Sequence, residues 1–173
     1  LIPQGDFSSV TYARLSAIEG RLGNYERGLD HAHKALDIIF KNREKLFAGK
    51  DREAVIDVAM KNPGLPPDVI LIKAVTSAEG ARTTIYYLKG DFQEAIKEGE
   101  RAIGHFNNIL KAVSLAPERE QVSYFEGLGF ITLCVGDSYR STGQIRKGRE
   151  FLERSREYFK RARLNYGDVI AEG

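Results

Sequence analysis

The sequence predicts an all-α fold, a right-handed superhelical stack of antiparallel helical hairpins, and three observations predict it. Apolar and small residues recur at three-and-four spacing along nearly the whole chain, and no short stretch alternates strictly between apolar and polar. The breakers between these stretches are short, which turns each helix back against its predecessor. Three of the breakers open stretches that resemble one another: "GNYERGLDHAHKA" (Gly23–Ala35), "GDFQEAIKEGERA" (Gly90–Ala102) and "GQIRKGREFLERS" (Gly143–Ser155).

Seven helices are expected, near residues 7–22, 25–47, 51–61, 67–89, 91–115, 117–142 and 144–166. The first carries an apolar stripe of Tyr12, Leu15, Ile18 and Leu22 that continues to Tyr25, and Gly23-Asn24 ends it. The second runs to the Gly49-Lys50-Asp51 breaker. A short third helix follows, closed by "NPGLPPD" (Asn62–Asp68). Pro67 suits the first turn of the fourth helix, where its missing N–H needs no partner, and Pro117 does the same for the sixth. The fifth, after Gly90-Asp91, has the longest stripe: Phe92, Ala95, Ile96, Gly99, Ala102, Ile103, Phe106, Leu110 and Val113. The seventh, after Thr142-Gly143, repeats it with Ile145, Gly148, Phe151, Leu152, Ser155, Tyr158, Phe159 and Ala162.

Aligning the three stretches on Gly23, Gly90 and Gly143 exposes a repeat. Two residues on are Tyr25, Phe92 and Ile145. Seven residues before the glycines are Ser16, Thr83 and Gly136; five after are Gly28, Ala95 and Gly148; twelve after are Ala35, Ala102 and Ser155. All nine of the flanking positions are small. Helices joined by a tight turn cross within about 8–10 Å, and a bulky side chain at the crossing would hold them apart. Gly28, Gly99 and Gly148 each stand inside a helix, where glycine costs about 1 kcal/mol relative to alanine, so packing must supply a compensating reason.

The pattern resembles the tetratricopeptide repeat family, whose hairpin has a Leu-Gly-x-x-Tyr segment, a Gly-x-Tyr/Phe turn and small residues at the crossings. The last unit carries it most fully, in Val135-Gly136-Asp137-Ser138-Tyr139, Gly143, Gly148 and Ser155. The middle unit has Tyr86, Gly90-Asp91-Phe92, Ala95 and Ala102, with Thr83 in place of the usual glycine. The first has Leu15-Ser16, Gly23-Asn24-Tyr25, Gly28 and Ala35, with Glu19 in place of tyrosine. The family period is about 34 residues, whereas the turns here stand at 23, 90 and 143, so the helices resemble the extended repeats of bacterial regulators and signalling scaffolds. The resemblance implies one domain over 1–173, with units near 7–47, 67–115 and 117–166 and an insertion at 48–66.

Composition agrees with one soluble domain: 173 residues, 42% apolar and 29% charged, without an apolar run of membrane-spanning length or a signal-peptide pattern. The first residue is Leu1 rather than methionine, and a piece of a longer protein is expected. A single cysteine, Cys134, excludes an internal disulfide framework and makes the cytoplasm the default location. The net charge of +2 is too small to favour nucleic acid. It is unevenly spread, because Arg146, Lys147, Arg149, Arg154, Arg156, Lys160, Arg161 and Arg163 face only Glu150, Glu153 and Glu157 in the last helix.

No convergent catalytic set is visible, so no enzyme activity, cofactor or metal is expected. His31 and His33 would share a face on a strand, but on a helix they diverge by about 200° and cannot hold one metal. His105 reads as a surface or boundary residue. Cys134 reads as a buried small hydrophobe. "GLGF" from Gly127 lacks the third glycine of a dinucleotide fingerprint, Thr132 standing there, and no strand precedes it. Glu94, Lys97, Glu98 and Arg101 have the spacing of ion pairs on a wet helix face.

The resemblance implies a concave surface built from the first helix of each hairpin. Its groove positions map to Ala13, Ala17 and Arg21, to Gly80, Thr84 and Tyr87, and to Leu133, Asp137 and Arg140. The Lys and Asn clamp with which chaperone-binding members hold a terminal carboxylate is absent from these positions. The same positions can instead pack against the next helix. Arg146, Arg149, Arg156, Lys160 and Arg163 form a basic outer stripe, suited either to an acidic partner or to solvating a terminal helix. The expected function is a non-catalytic scaffold that binds a protein or peptide. A regulatory domain sensing a small effector and a homodimerisation module remain open beside it.

Overall fold

The computed structural model describes residues 4–43, 66–113 and 118–171, and every described element is an α-helix. In chain order these are α1 (Gln4–Arg21), α2 (Tyr25–Arg43), α3 (Pro66–Lys89), α4 (Phe92–Val113), α5 (Glu118–Ser141) and α6 (Ile145–Ala171). The expected short helix at 51–61 and Pro117 lie outside the described residues. Pro67 falls in the first turn of α3.

The three aligned turns share one geometry. Gly23, Gly90 and Gly143 have φ of 81°, 86° and 83°, the left-handed region that glycine enters without a Cβ penalty. Each glycine N–H reaches back three residues, Gly23 to Gly20 O at 3.2 Å, Gly90 to Tyr87 O at 3.1 Å and Gly143 to Arg140 O at 3.0 Å. The next N–H reaches back five, Asn24 to Glu19 O at 2.9 Å, Asp91 to Tyr86 O at 2.9 Å and Gln144 to Tyr139 O at 2.8 Å. These paired bonds satisfy carbonyls that a helix end otherwise leaves open. The carbonyls of Asn24, Asp91 and Gln144 then accept the first bonds of the following helices, from Gly28, Ala95 and Gly148. One residue therefore closes a helix and the next opens another.

All nine small positions are buried. A methyl built on Gly28 would fall 3.1 Å from Ser16 O, and one on Gly148 would fall 2.7 Å from Gly136 O, so backbone meets backbone at these crossings. Between successive hairpins a branched side chain enters the space that small residues leave. Ile85 of α3 faces both Gly20 of α1 and Gly28 of α2, with built methyls 2.6 and 2.7 Å from it. Val135 of α5 faces Gly99 of α4 in the same manner, and Thr83 of α3 borders the same glycine. That contact accounts for a glycine in the middle of α4.

Each helix packs on its neighbour in sequence, and α1 also packs on α3 and α3 on α5. The main core joins Ile39, Val75, Ile96, Ile103, Phe106, Tyr124, Leu128, Ile131, Val135 and Phe151, and a smaller cluster joins Ala13, Ala35 and Ala78. The α4 stripe is buried from Ala95 to Phe106, as its period predicts. Of the first-helix stripe, Tyr12 packs on the smaller cluster, whereas Leu15, Ile18 and Leu22 face the other way and are 37, 52 and 69% exposed. The inner face of α1 consists instead of Ser9, Ala13, Ser16 and Gly20, because close approach of α2 and α3 requires small residues there.

Candidate functional site

Measured back from the turn glycines, the groove positions fall into a register that the structure uses for packing. Ten residues before each glycine are Ala13, Gly80 and Leu133. Ala13 is buried, and a methyl on Gly80 would fall 2.9 Å from Ile131 Cδ1 of α5. Leu133, with no further helix over it among the described residues, is 40% exposed. Six residues before are Ala17, Thr84 and Asp137, all half-buried. Thr84 donates to Gly80 O at 3.0 Å. Three residues before are Gly20, Tyr87 and Arg140; Arg21, which is exposed, is one residue past this register.

Three of these residues come together. The Tyr87 hydroxyl donates to Asp137 Oδ2 at 2.8 Å, and Arg140 Nη1 lies 3.5 Å from Asp137 Oδ1. The hydrogen bond to Asp137, then burial and the Asp137 charge, push the Tyr87 pKa up to about 12. Tyr87 is thus neutral at physiological pH and ties α3 to α5. Beside it Cys134 is buried, and burial above all pushes its thiol pKa to about 11, opposite to what a nucleophile needs.

On the outer side of the last hairpin, α5 and α6 flank an open groove of about 930 Å³. Leu133, Leu152, Phe159 and Ala162 line it, with Glu126 on the α5 side and Arg156, Lys160 and Arg163 on the α6 side. Phe130, 55% exposed, stands edge-on to Phe159 with ring centroids 5.2 Å apart. The basic stripe is therefore divided. Arg146 pairs with Glu150 at 3.3 Å and Arg149 is exposed at the start of α6, while Arg156, Lys160 and Arg163 border an apolar surface.

The structure also reveals a buried polar network that helical spacing conceals. Glu79 of α3, with its side chain 1% exposed, accepts from His105 Nδ1 at 2.7 Å and lies 3.2 Å from Arg101 Nε. Glu98 lies 3.2 Å from Arg82 Nη2 and 3.0 Å from Arg101 Nη2. Only Lys97 and Glu94 of the expected wet face form an exposed pair, at 3.5 Å; Glu98 is buried because its side of α4 turns toward α3. His105, expected at the surface or its boundary, lies at the boundary, with its side chain 13% exposed. A lone Glu on α3 and a His on α4, 26 residues apart, leave no local signal of pairing.

A second junction links three helices through Tyr139. Its hydroxyl donates to Glu100 Oε1 at 2.6 Å and accepts from Lys147 Nζ, and the Lys147 ammonium also sits 4.2 Å from the ring centroid. Burial first, then the bond to Glu100, raises the Tyr139 pKa.

His31 stacks against Tyr12 with centroids 5.6 Å apart, while His33 is exposed. Among the described residues no group of three or more His, Cys, Asp or Glu side chains can hold a metal, and no helix is long and apolar enough to cross a membrane. No family model matches the chain, and neither a curated protein nor a solved structure matches it.

Proposed function

We propose that this chain is a non-catalytic protein-interaction scaffold: three antiparallel hairpins of the tetratricopeptide kind in a right-handed superhelical stack, presenting surface to a protein or peptide. The observation that carries this reading is the placement of large apolar side chains. The inter-helix crossings use small residues, while Leu15 and Ile18 on α1, Leu22 just past its end, and Phe130 and Leu133 on α5 stand in solvent. Exposed apolar residues grouped on a helix face mark a surface that another molecule covers. The turn chemistry and the crossing residues support the hairpin stack.

Cross-linking of the chain in its native extract, with mass spectrometry of the adducts, tests the reading. Adducts to a distinct protein through α1 or α5 support it. A large thermal shift with a metabolite, and no protein adduct, would replace it with effector sensing. Homodimerisation is the second reading, favoured by the fact that exposed apolar residues stand on both α1 and α5, so that a second copy can cover them. Sedimentation giving a monomer at high concentration removes it.

A further inference from the structure

The outer face of the last hairpin differs from the two faces that are covered within the chain. Where α3 seats on the first hairpin, the receiving positions are Gly20 and Gly28; where α5 seats on the second, they are Gly80 and Gly99. The last hairpin has Arg140 as the counterpart of Gly20, Leu133 as that of Gly80, and Leu152 as that of Gly99. These side chains fill the space into which a branched residue would enter. A further hairpin cannot approach as closely as the others do, and whatever lies here rests on side chains rather than on backbone.

The groove also has a charge asymmetry. Arg156, Lys160 and Arg163 follow i, i+4 and i+7 along α6, which sets them in a row on its border, and all three are exposed. Among the described residues none of the three has a carboxylate partner. Among the described residues Glu126 is the sole acidic one in the lining. The lining from Leu152 to Arg163 extends about 16 Å, or three helical turns.

The geometry points to an amphipathic helix of a partner protein as the occupant. It rests its apolar side on Leu133, Leu152 and Phe159 and sets Glu or Asp residues against Arg156, Lys160 and Arg163. A helix fits better than an extended strand for a reason of backbone chemistry. Helical walls offer no free N–H or C=O groups for a strand to pair with, whereas a helix satisfies its own backbone. The inference rests on the scaffold reading and specifies which surface the partner uses and what chemistry it brings.

The test uses the whole chain and three synthetic helical peptides of about 15 residues, matched in length to the groove. One has leucine at i, i+3, i+4 and i+7 with glutamate along one edge; the second has lysine at the same edge; the third has serine in place of leucine. Binding is followed by fluorescence anisotropy, and the contacted residues by NMR shift changes. The acidic peptide is expected to bind at least about tenfold more tightly than either control, with an affinity that falls as salt rises. The shifts should centre on Leu133 and Phe159. The triple variant R156E/K160E/R163E, altered only at exposed positions, should reverse the preference in favour of the lysine peptide.

Equal affinity for the acidic and basic peptides, or an unchanged preference in the triple variant, overturns the inference. So does a partner cross-linked in extract through Leu15, Ile18 and Leu22 alone, although the scaffold reading survives that result. Concentration-dependent self-association that the triple variant abolishes would assign the groove to a second copy and overturn the peptide assignment as well.

Discussion

Gly148 lies against Gly136 so closely that a methyl built on Gly148 would stand 2.7 Å from the Gly136 carbonyl oxygen and 2.6 Å from Arg140 Cγ. The arginine end is flexible, but the carbonyl belongs to the α5 backbone and can yield only if the helices separate. Gly148→Ala is therefore expected to lose about 1–3 kcal/mol of stability despite the better helix propensity of alanine. Gly104→Ala is the matched control. Gly104 is exposed inside α4 with nothing within 4 Å of a built Cβ, so alanine should stabilise by about 0.5–1 kcal/mol. Urea midpoints of the two variants should move in opposite directions; a shift of the same sign would refute the crossing geometry.

The turn glycines make a different prediction, since a methyl at Gly90 or Gly143 meets nothing and only φ is at stake. Alanine at either position should cost about 1–2 kcal/mol, and asparagine, which tolerates the left-handed region, should cost less. Thermal unfolding of the four single variants checks the ranking.

Glu79 and His105 form a buried pair whose members depend on each other, with Arg101 in reserve on the carboxylate's other oxygen. Glu79→Gln and His105→Gln should each destabilise by about 1–3 kcal/mol, because each leaves a partly desolvated polar group short of a partner. The double variant should fall short of the sum by at least about 0.5 kcal/mol. Additive effects in denaturant titrations would show that the pair is not coupled.

Tyr87 predicts a response to alkali. Its folded pKa of about 12 exceeds the ordinary 10.0, so the fold favours the protonated hydroxyl that donates to Asp137. The contribution of this bond is complete below pH 10 and is lost as pH rises through 12. The stability difference between the native chain and Tyr87→Phe should be constant up to pH 9 and shrink at pH 11 and above. A difference that does not change with pH would assign the stabilisation to ring packing alone.

The three glycine turns were legible in sequence because their determinants are local. A glycine followed by a polar residue and an apolar one, with small residues at fixed offsets, specifies a left-handed closure and a close crossing without reference to distant parts of the chain. What stayed hidden depends on partners remote in sequence. The periodicity of Leu15, Ile18 and Leu22 identifies a face but not its orientation, and Ser16 and Gly20, with little hydrophobicity of their own, form the packed side of α1. Glu98 has the spacing of a solvated residue and is buried because Arg82 of α3 is opposite it. By its distance from the turn glycine, Gly20 rather than Arg21 corresponds to Tyr87 and Arg140. The apolar surface beside Arg156, Lys160 and Arg163 depends on α5 and α6 lying side by side, which no window on a single helix reports.

The fit of Ile85 to Gly20 and Gly28, and of Val135 to Gly99, has a consequence for modularity. The hairpins are interchangeable at their turns but individually keyed where they meet. A chimera that joined the last hairpin directly to the first would bring Ser138, which stands five residues before its turn glycine as Ile85 does, to a site shaped around isoleucine and leave a void. The order of the units is thus encoded in the chain by matched volumes at their junctions, and duplication or deletion of a hairpin must be accompanied by a change of key.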